Sequence, residues 1–396
     1  MKKQVCLFFM LGALALTGCG GNGGNGGGGT SQGGGGEQVI DLGVKDIHTE
    51  LQNQYLNDEW TTNTKYIEKV NAEDNQQHPD LGGPTAIKLE FDEVYDAETY
   101  YVEIADNANF TNSKIVETNT KSYDFYNGKL GQEYYYRAYD FRDELDLGQV
   151  KKFTVTDQTP RNLNVDGVMN FRDIGGWSTS LVPGAKIRQG LYYRCAQFNS
   201  ITAAGKATLK ELGISVDIDM RDRPPAESPA TSDEWPVAIV DAHIASGTES
   251  TRFSGFADTY KTIFDQIAKV ATPASASNPK SGPIGLHCSY GADRTGIASF
   301  FLLAVLGASE EECGRDYSWT RFAGQRAVKH DVEYDGWVSA TKEYEVDAKY
   351  NTDAYKDQKF AEQMKKHLLS KGIAEDTIET IREIFIPGYV KQSAAA

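Results

Sequence analysis

The chain has 396 residues, more than one compact domain usually holds, so two folded units plus non-globular sequence are expected. Its 40 Lys and Arg against 56 Asp and Glu give a formal net charge of -16, which repels nucleic acid and anionic membrane surfaces and argues against a nucleic-acid partner. Any anionic substrate must then be held by a local cradle of donors, because the overall field opposes its approach.

Residues 1–18 have the layout of a secretory signal: basic Lys2 and Lys3, a largely apolar run over 5–16, and the small residues Thr17-Gly18 before Cys19. The apolar run falls short of the roughly 20 residues needed to span a bilayer. Leu16-Thr17-Gly18-Cys19 resembles the lipobox of bacterial lipoproteins. That resemblance implies cleavage before Cys19, lipidation of its thiol, and a lipid-anchored place in the bacterial cell envelope, periplasmic or surface-exposed; a plain signal peptide cut nearby is the alternative. Residues 19–36 are dominated by Gly and small polar residues, the composition of a flexible tether. Residues 37–83 are polar with scattered Leu, Tyr and Trp, and no element is assigned there. With Cys6 removed and Cys19 lipidated, Cys195, Cys288 and Cys313 remain. An odd count does not suggest a disulfide framework, and in an oxidising compartment at least one thiol stays free. A Cys195–Cys288 redox pair is conceivable, but nothing in the sequence supports it.

Over 84–157 apolar residues recur at every second position: Ile87, Leu89 and Phe91; Tyr100, Val102 and Ile104; Tyr134, Tyr136 and Ala138; Phe153 and Val155. This period with intervening Asn, Asp and Gly predicts short strands and turns, about six strands in a small all-β sandwich. The arrangement resembles fibronectin type III-like modules. Its tyrosines read as core and cross-strand packing before they read as a binding face for protein or glycan.

After residues 156–160, strand-like runs over 214–220 and 237–240 alternate with helix-like stretches over 203–212, 253–270 and 353–369. The alternation predicts an α/β domain over 160–391 with a central, mostly parallel sheet. Pro224, Pro225, Pro229 and Pro236 and the stretch 272–282 mark loops.

The chemistry concentrates in His287-Cys288-Ser289-Tyr290-Gly291-Ala292-Asp293-Arg294-Thr295-Gly296. A short apolar run, Ile284–His287, precedes it, and a long apolar run over 295–307 follows, predicting buried strand, tight loop and buried helix. Loop N-H groups and the helix dipole there favour an anion. The same field stabilises a Cys288 thiolate as nucleophile. Gly291 lets the loop curl so that its N-H groups converge, and Arg294 can fork two donors onto phosphate oxygens. The Thr295 hydroxyl can donate to the departing sulfur, and His287 can order the loop. Asp293 is the first candidate for the acid that protonates the leaving oxygen.

Taken whole, this string resembles the signature of the protein-tyrosine-phosphatase superfamily, in particular bacterial tyrosine and lipid phosphatases whose loop reads His-Cys-x-x-Gly-Lys-Asp-Arg-Thr-Gly. Asn170-Phe171-Arg172-Asp173-Ile174-Gly175-Gly176 matches a second block of that family, Asn-Phe-Arg-Asp-x-Gly-Gly. Gly190-Leu191-Tyr192-Tyr193-Arg194, Leu212-Gly213-Ile214 and Asp217-Ile218-Asp219-Met220-Arg221 follow in the family's order. Arg172 and Asp173 are read either as a structural ion pair or as pocket residues, and Asp219 and Arg221 as loop anchors or site residues. In some relatives a further acid comes from the segment that here offers Asp241 and His243. Ala292 replaces the Lys of the lipid-phosphatase version, which removes a contact to a multiply phosphorylated head group. No metal ligand spacing occurs and no cofactor is expected.

The resemblance implies a phosphomonoesterase with a phosphocysteine intermediate, acting on a phosphorylated protein or small phosphomonoester, with phosphotyrosine favoured over phosphoinositide or inositol phosphate. A catalytically idle phosphate-binding module and a surface adhesion lipoprotein are the competing readings.

Overall fold

The computed structural model describes residues 39–58, 83–91, 96–139, 149–221, 231–232, 235–244, 257–275, 277–278, 280–323 and 331–391. The signal segment, Cys19 and the Gly-rich tether lie outside the described residues, as do Pro224, Pro225 and Pro229. Everything described belongs to one compact unit, Val39–Ala396.

Period-two apolar residues build the first part. Strands β1 (Ile40–Lys45), β3 (Tyr100–Ala105), β4 (Lys114–Thr118), β6 (Glu133–Tyr139) and β7 (Lys151–Val155) form a five-stranded sheet in the order β1-β7-β6-β3-β4, and β2 (Ile87–Glu90) pairs with β5 (Ser122–Phe125) in a second. Both sheets feed one core, in which Leu89, Val102, Phe153 and Val155 have no solvent exposure. Side chains alternate across a strand, so the tyrosines divide. Tyr100 and Tyr136 are buried in this core, while Tyr101 and Tyr139 stack on each other at 5.8 Å.

The segment left unassigned by its sequence contributes two elements. β1 runs parallel to β7, and α1 (Glu50–Asn57) begins with a capping box between Thr49 and Gln52. α1 presses Leu51 and Tyr55 against Trp319 and Phe322, and Arg315 donates to the carbonyls of Tyr55 and Asp58 at 2.7 and 2.6 Å.

A third, six-stranded sheet has the order β14-β11-β15-β10-β9-β8, comprising β8 (Arg161–Asn162), β9 (Arg172–Asp173), β10 (Tyr192–Cys195), β11 (Val216–Asp219), β14 (Ala238–Asp241) and β15 (Ile284–His287). β10, β15, β11 and β14 are mutually parallel, and β9 and β8 complete the edge antiparallel. A separate short pair, β12 (Thr231–Ser232) with β13 (Trp235–Pro236), precedes β14. The helices are α2 (Ala203–Glu211), α3 (Ala257–Ile267), α4 (Asp293–Val305), α5 (Glu310–Trp319), α6 (Asp331–Lys342), α7 (Lys356–Ser370) and α8 (Glu375–Phe385). α4 is buried on every side over residues 295–305, as expected of a helix with no polar face. Ile297, Phe300, Phe301 and Leu302 pack in one core with residues of α3, α7 and α8. Among the described residues no helix is long and apolar enough to cross a membrane.

Residues 156–160 do not separate two free-standing parts. Arg161, 2% exposed, donates to the carbonyls of Asn127 and Gly128 in the turn after β5 at 2.6 and 2.9 Å, and to Asp173 Oδ2 at 2.9 Å. Leu130 and Gln189 exchange two further hydrogen bonds at 2.9 and 3.1 Å. Lys114 of β4 pairs with Glu211 of α2, but in solvent. Removing one side of a buried ion pair strands the other charge, whereas solvated pairs contribute little. Arg161→Ala is therefore expected to lower the unfolding free energy by about 3–5 kcal/mol and Lys114→Ala to leave it nearly unchanged, both read from urea denaturation.

Candidate active site

β15 ends at His287 and α4 begins at Asp293, so residues 288–292 form a five-residue loop between a buried strand and a helix buried from Thr295 onward. Gly291 sits at φ +66°, and a Cβ there would lie 2.3 Å from the carbonyl oxygen of Cys195. Only glycine permits this close approach of the loop to the end of β10. Ala292, the N-cap of α4, offers no side-chain acceptor to the first helical N-H groups, which leaves them available to an anion.

Cys288 is 2% exposed. Burial opposes its ionisation, but the Thr295 hydroxyl, the Arg294 guanidinium and the N-H groups of Thr295 and Tyr290 outweigh that and hold the thiol below its ordinary value. Thr295 Oγ1 is buried without a nitrogen or oxygen partner and acts on the sulfur. Arg294 is half-buried. Its Nη1 donates to the carbonyls of Met220 and Ile244 at 3.2 and 3.0 Å, and its Nη2 lies 3.4 Å from Ser289 Oγ. The Cys195 and Cys313 thiols are both pushed well up by burial, and all three described cysteines are free. The electrostatics thus separate Cys288 from the other two, and no redox pair with Cys195 is formed.

His287 is buried under the loop. Its Nδ1 lies 3.2 Å from the Cys288 carbonyl and its Nε2 3.0 Å from Asp217 Oδ1. Burial pushes the imidazole down, yet the Asp217 and Asp219 carboxylates prevail and raise it above its usual value. Asp219 chelates Arg221, with Nε to Oδ1 at 2.9 Å and Nη2 to Oδ2 at 2.6 Å. Burial would raise the Asp219 carboxyl, but Arg221 and His287 hold it low. Arg221 also donates to Asn199 Oδ1 at 2.8 Å, and the neighbouring Gln197 N-H donates to the Ser289 carbonyl at 3.3 Å. Asp219 and Arg221 therefore brace the loop from the C-terminal edge of β11. Asp241 stands on the outer strand β14 with an exposed side chain, 3.8 Å from His243 Nε2; β11 intervenes between it and the strand that carries the cysteine.

Arg172 and Asp173 do not pair with each other. As successive residues of β9 they project to opposite faces: Asp173 meets Arg161, while Arg172 Nε meets Asp316 Oδ1 at 2.9 Å. Both are buried in these pairs, which assigns them to the scaffold instead of the pocket.

Asp316 received no notice from its sequence context. Its carboxylate binds Arg172 and Arg194 together, and they outweigh burial to keep it low. Arg194 also donates to the Gly291 carbonyl at 2.9 Å. Asn170 Nδ2 donates to the carbonyls of Tyr290 and Gly291, both at 3.1 Å, while its Oδ1 accepts from Arg172. Asn170 and Arg194 stand inside the sequence blocks quoted above, a signal that marked them without assigning a role. Among the described residues no group of three or more His, Cys, Asp or Glu side chains is arranged to hold a metal ion.

A buried strand, a short loop whose cysteine is held low, and a buried helix together make a site able to receive an anion beside a thiolate. A model of the tyrosine phosphatase family matches residues 163–387, and the chain belongs to that family. It is 24% identical over 181 residues to a protein of Cupriavidus necator whose name assigns it to the tyrosine-protein phosphatases. That match covers 40% of this chain, and the chain spans 63% of the relative's length. Among solved structures, P. aeruginosa TpbA is 16% identical with a TM-score of 0.23, covering 35% of this chain and 74% of that one. A TpbA variant in complex with phosphotyrosine is 14% identical with a TM-score of 0.26, covering 40% and 86%. Structural likeness at this level is too slight to bear on function.

Because the thiolate is the reactive form, a depressed value keeps Cys288 reactive at lower pH. The midpoint of its alkylation by iodoacetamide is expected below the value of about 8.5 for a free thiol and higher in Thr295→Ala than in the wild type; equal midpoints in the two proteins would remove the hydroxyl from this account.

Proposed function

We propose that the chain hydrolyses phosphomonoesters through a phosphocysteine intermediate and that phosphotyrosine-like aryl phosphates are its substrates. The observation that carries the reading is the lowered Cys288 thiol at the mouth of an anion-accepting loop, with Arg294 beside it. The thiolate attacks phosphorus in line with the leaving oxygen; the S-P bond forms as the P-O bond breaks. Asp293, the first residue of α4, gives its proton to that oxygen. Water then attacks phosphorus, Asp293 takes its proton, and the sulfur leaves as a thiolate that the Thr295 hydroxyl stabilises.

Two features favour an aryl leaving group. Ala292 places no cation beside the loop. Tyr290, itself a residue of the loop, is 49% exposed, which leaves its ring open to a substrate. An aromatic ring gains from such a neighbour, whereas a polyphosphorylated inositol needs additional cations.

The N-terminal sequence supports a lipid-anchored envelope location, with Cys19 as the modified residue. The two sheets sharing one core support a fibronectin type III-like sandwich, whose outer Tyr101 and Tyr139 are candidates for protein or glycan contact.

The chain without its signal segment should hydrolyse p-nitrophenyl phosphate and phosphotyrosine peptides faster than phosphoinositides. Cys288→Ser is expected to abolish turnover. Asp293→Asn is expected to lower kcat by about 10²–10⁴-fold, most for alkyl phosphates, whose leaving groups need the proton most. Activity surviving in Cys288→Ser would refute the mechanism, and a preference for phosphoinositides would refute the substrate assignment.

A further inference from the structure

A trans peptide is planar, with its C=O and N-H pointing in opposite directions, so whatever fixes a carbonyl also aims the N-H that follows it. Three consecutive carbonyls of the loop are held by groups outside it, and a fourth by the first helical hydrogen bond of α4. Ser289 O accepts from the Gln197 N-H at 3.3 Å, Tyr290 O from Asn170 Nδ2 at 3.1 Å, Gly291 O from Asn170 Nδ2 at 3.1 Å and Arg194 Nη2 at 2.9 Å, and Ala292 O from the Gly296 N-H at 2.8 Å. The N-H groups of Tyr290, Gly291, Ala292 and Asp293 are thereby turned the other way. That of Tyr290 reaches the Cys288 sulfur, which marks this other side as the one the nucleophile serves.

We propose that Asn170, Arg194 and Asp316 are positioning residues for the phosphate: Asn170 and Arg194 grip the loop's carbonyls from outside and thereby aim its N-H groups at the oxyanion, and Asp316 holds the guanidinium groups behind them. The proposal rests on the phosphatase reading and states what holds that site ready. The grip has its own support. The Asn170 amide cannot turn over, because its oxygen accepts from Arg172 while its nitrogen faces the loop. Arg172 and Arg194 are both buried and both bound to Asp316, so one carboxylate sets the two donors that reach the loop, Arg194 directly and Asn170 through Arg172. N-H groups set in place before the reaction stabilise developing charge without reorganisation.

Asn170 occupies φ +56°, a conformation glycine also adopts, so Asn170→Gly deletes the amide without straining the backbone. Two measurements on this variant separate positioning from bulk stability: competitive inhibition by inorganic phosphate and kcat for p-nitrophenyl phosphate, each beside the melting temperature. Expected are phosphate inhibition weakened about tenfold or more and kcat lowered by about 10²-fold, the scale for one oxyanion donor, with a melting temperature close to wild type. The alkylation midpoint of Cys288 should shift less than in Thr295→Ala, because Asn170 does not hold the groups that act on the sulfur. Arg194→Met should act in the same direction; if that buried substitution prevents folding, Asn170→Gly decides. A folded Asn170→Gly with wild-type phosphate inhibition and kcat overturns the proposal, as does a fall in melting temperature with both constants unchanged. A wild-type protein that neither hydrolyses the aryl phosphate nor is inhibited by phosphate overturns the phosphatase reading itself, which is a distinct result.

Discussion

One buried carboxylate ties together the elements behind the candidate site. Asp316 is 1% exposed and stands between Arg172 and Arg194, of which burial and the neighbouring Arg194 push Arg172 down to about 10. Two guanidinium groups and one carboxylate give the cluster a formal charge of +1 by simple count. Burying charge is costly unless it is paired and fully hydrogen-bonded. Here Arg194 Nη2 donates to the Gly291 carbonyl of the loop, while its Nε is buried without a hydrogen-bond partner. In a chain with a formal net charge of -16, local positive charge behind the loop compensates for a global field that repels phosphate.

Two scales of constraint meet at Cys288. Locally, the helix N-terminus, Thr295 and Arg294 favour the thiolate. At longer range, β10 and β11 bring Arg194, Gln197, Asp219 and Arg221 to the loop from separate stretches of chain, and β9 brings Asn170 and Arg172. The parallel sheet performs this assembly because its strands all end on the same edge, where loops of distant sequence become neighbours.

That distinction also explains what could be read from the chain. Ile284–His287 and the apolar run after it were legible because strand, loop and helix are contiguous, and the alternating runs at Leu89, Val102 and Phe153 were legible because burial on one face imposes a period of two. The pairing of Arg172 was not legible, since its partner lies 144 residues away. Asp316 is one acidic residue in a helix, without a local pattern to distinguish it. β1 is a strand only because β7 offers it an edge, and α1 gains its hold from Trp319 and Phe322. The tyrosines needed the pairing register before those inside, Tyr100 and Tyr136, could be told from those outside.

Arg161 carries these constraints across the seam between the first two sheets and the third. Its guanidinium holds a turn of the first part with one set of donors and Asp173 with another; Asp173 in turn accepts from the N-H groups of Gly175 and Gly190 at 2.8 and 2.6 Å. The all-round burial of α4 extends the same logic to time. Over 295–305 the helix has no solvent face and no frayed side from which to open, so the amides bonded within that stretch should exchange with solvent only when the surrounding core comes apart. The wall behind the loop then shares the lifetime of the fold.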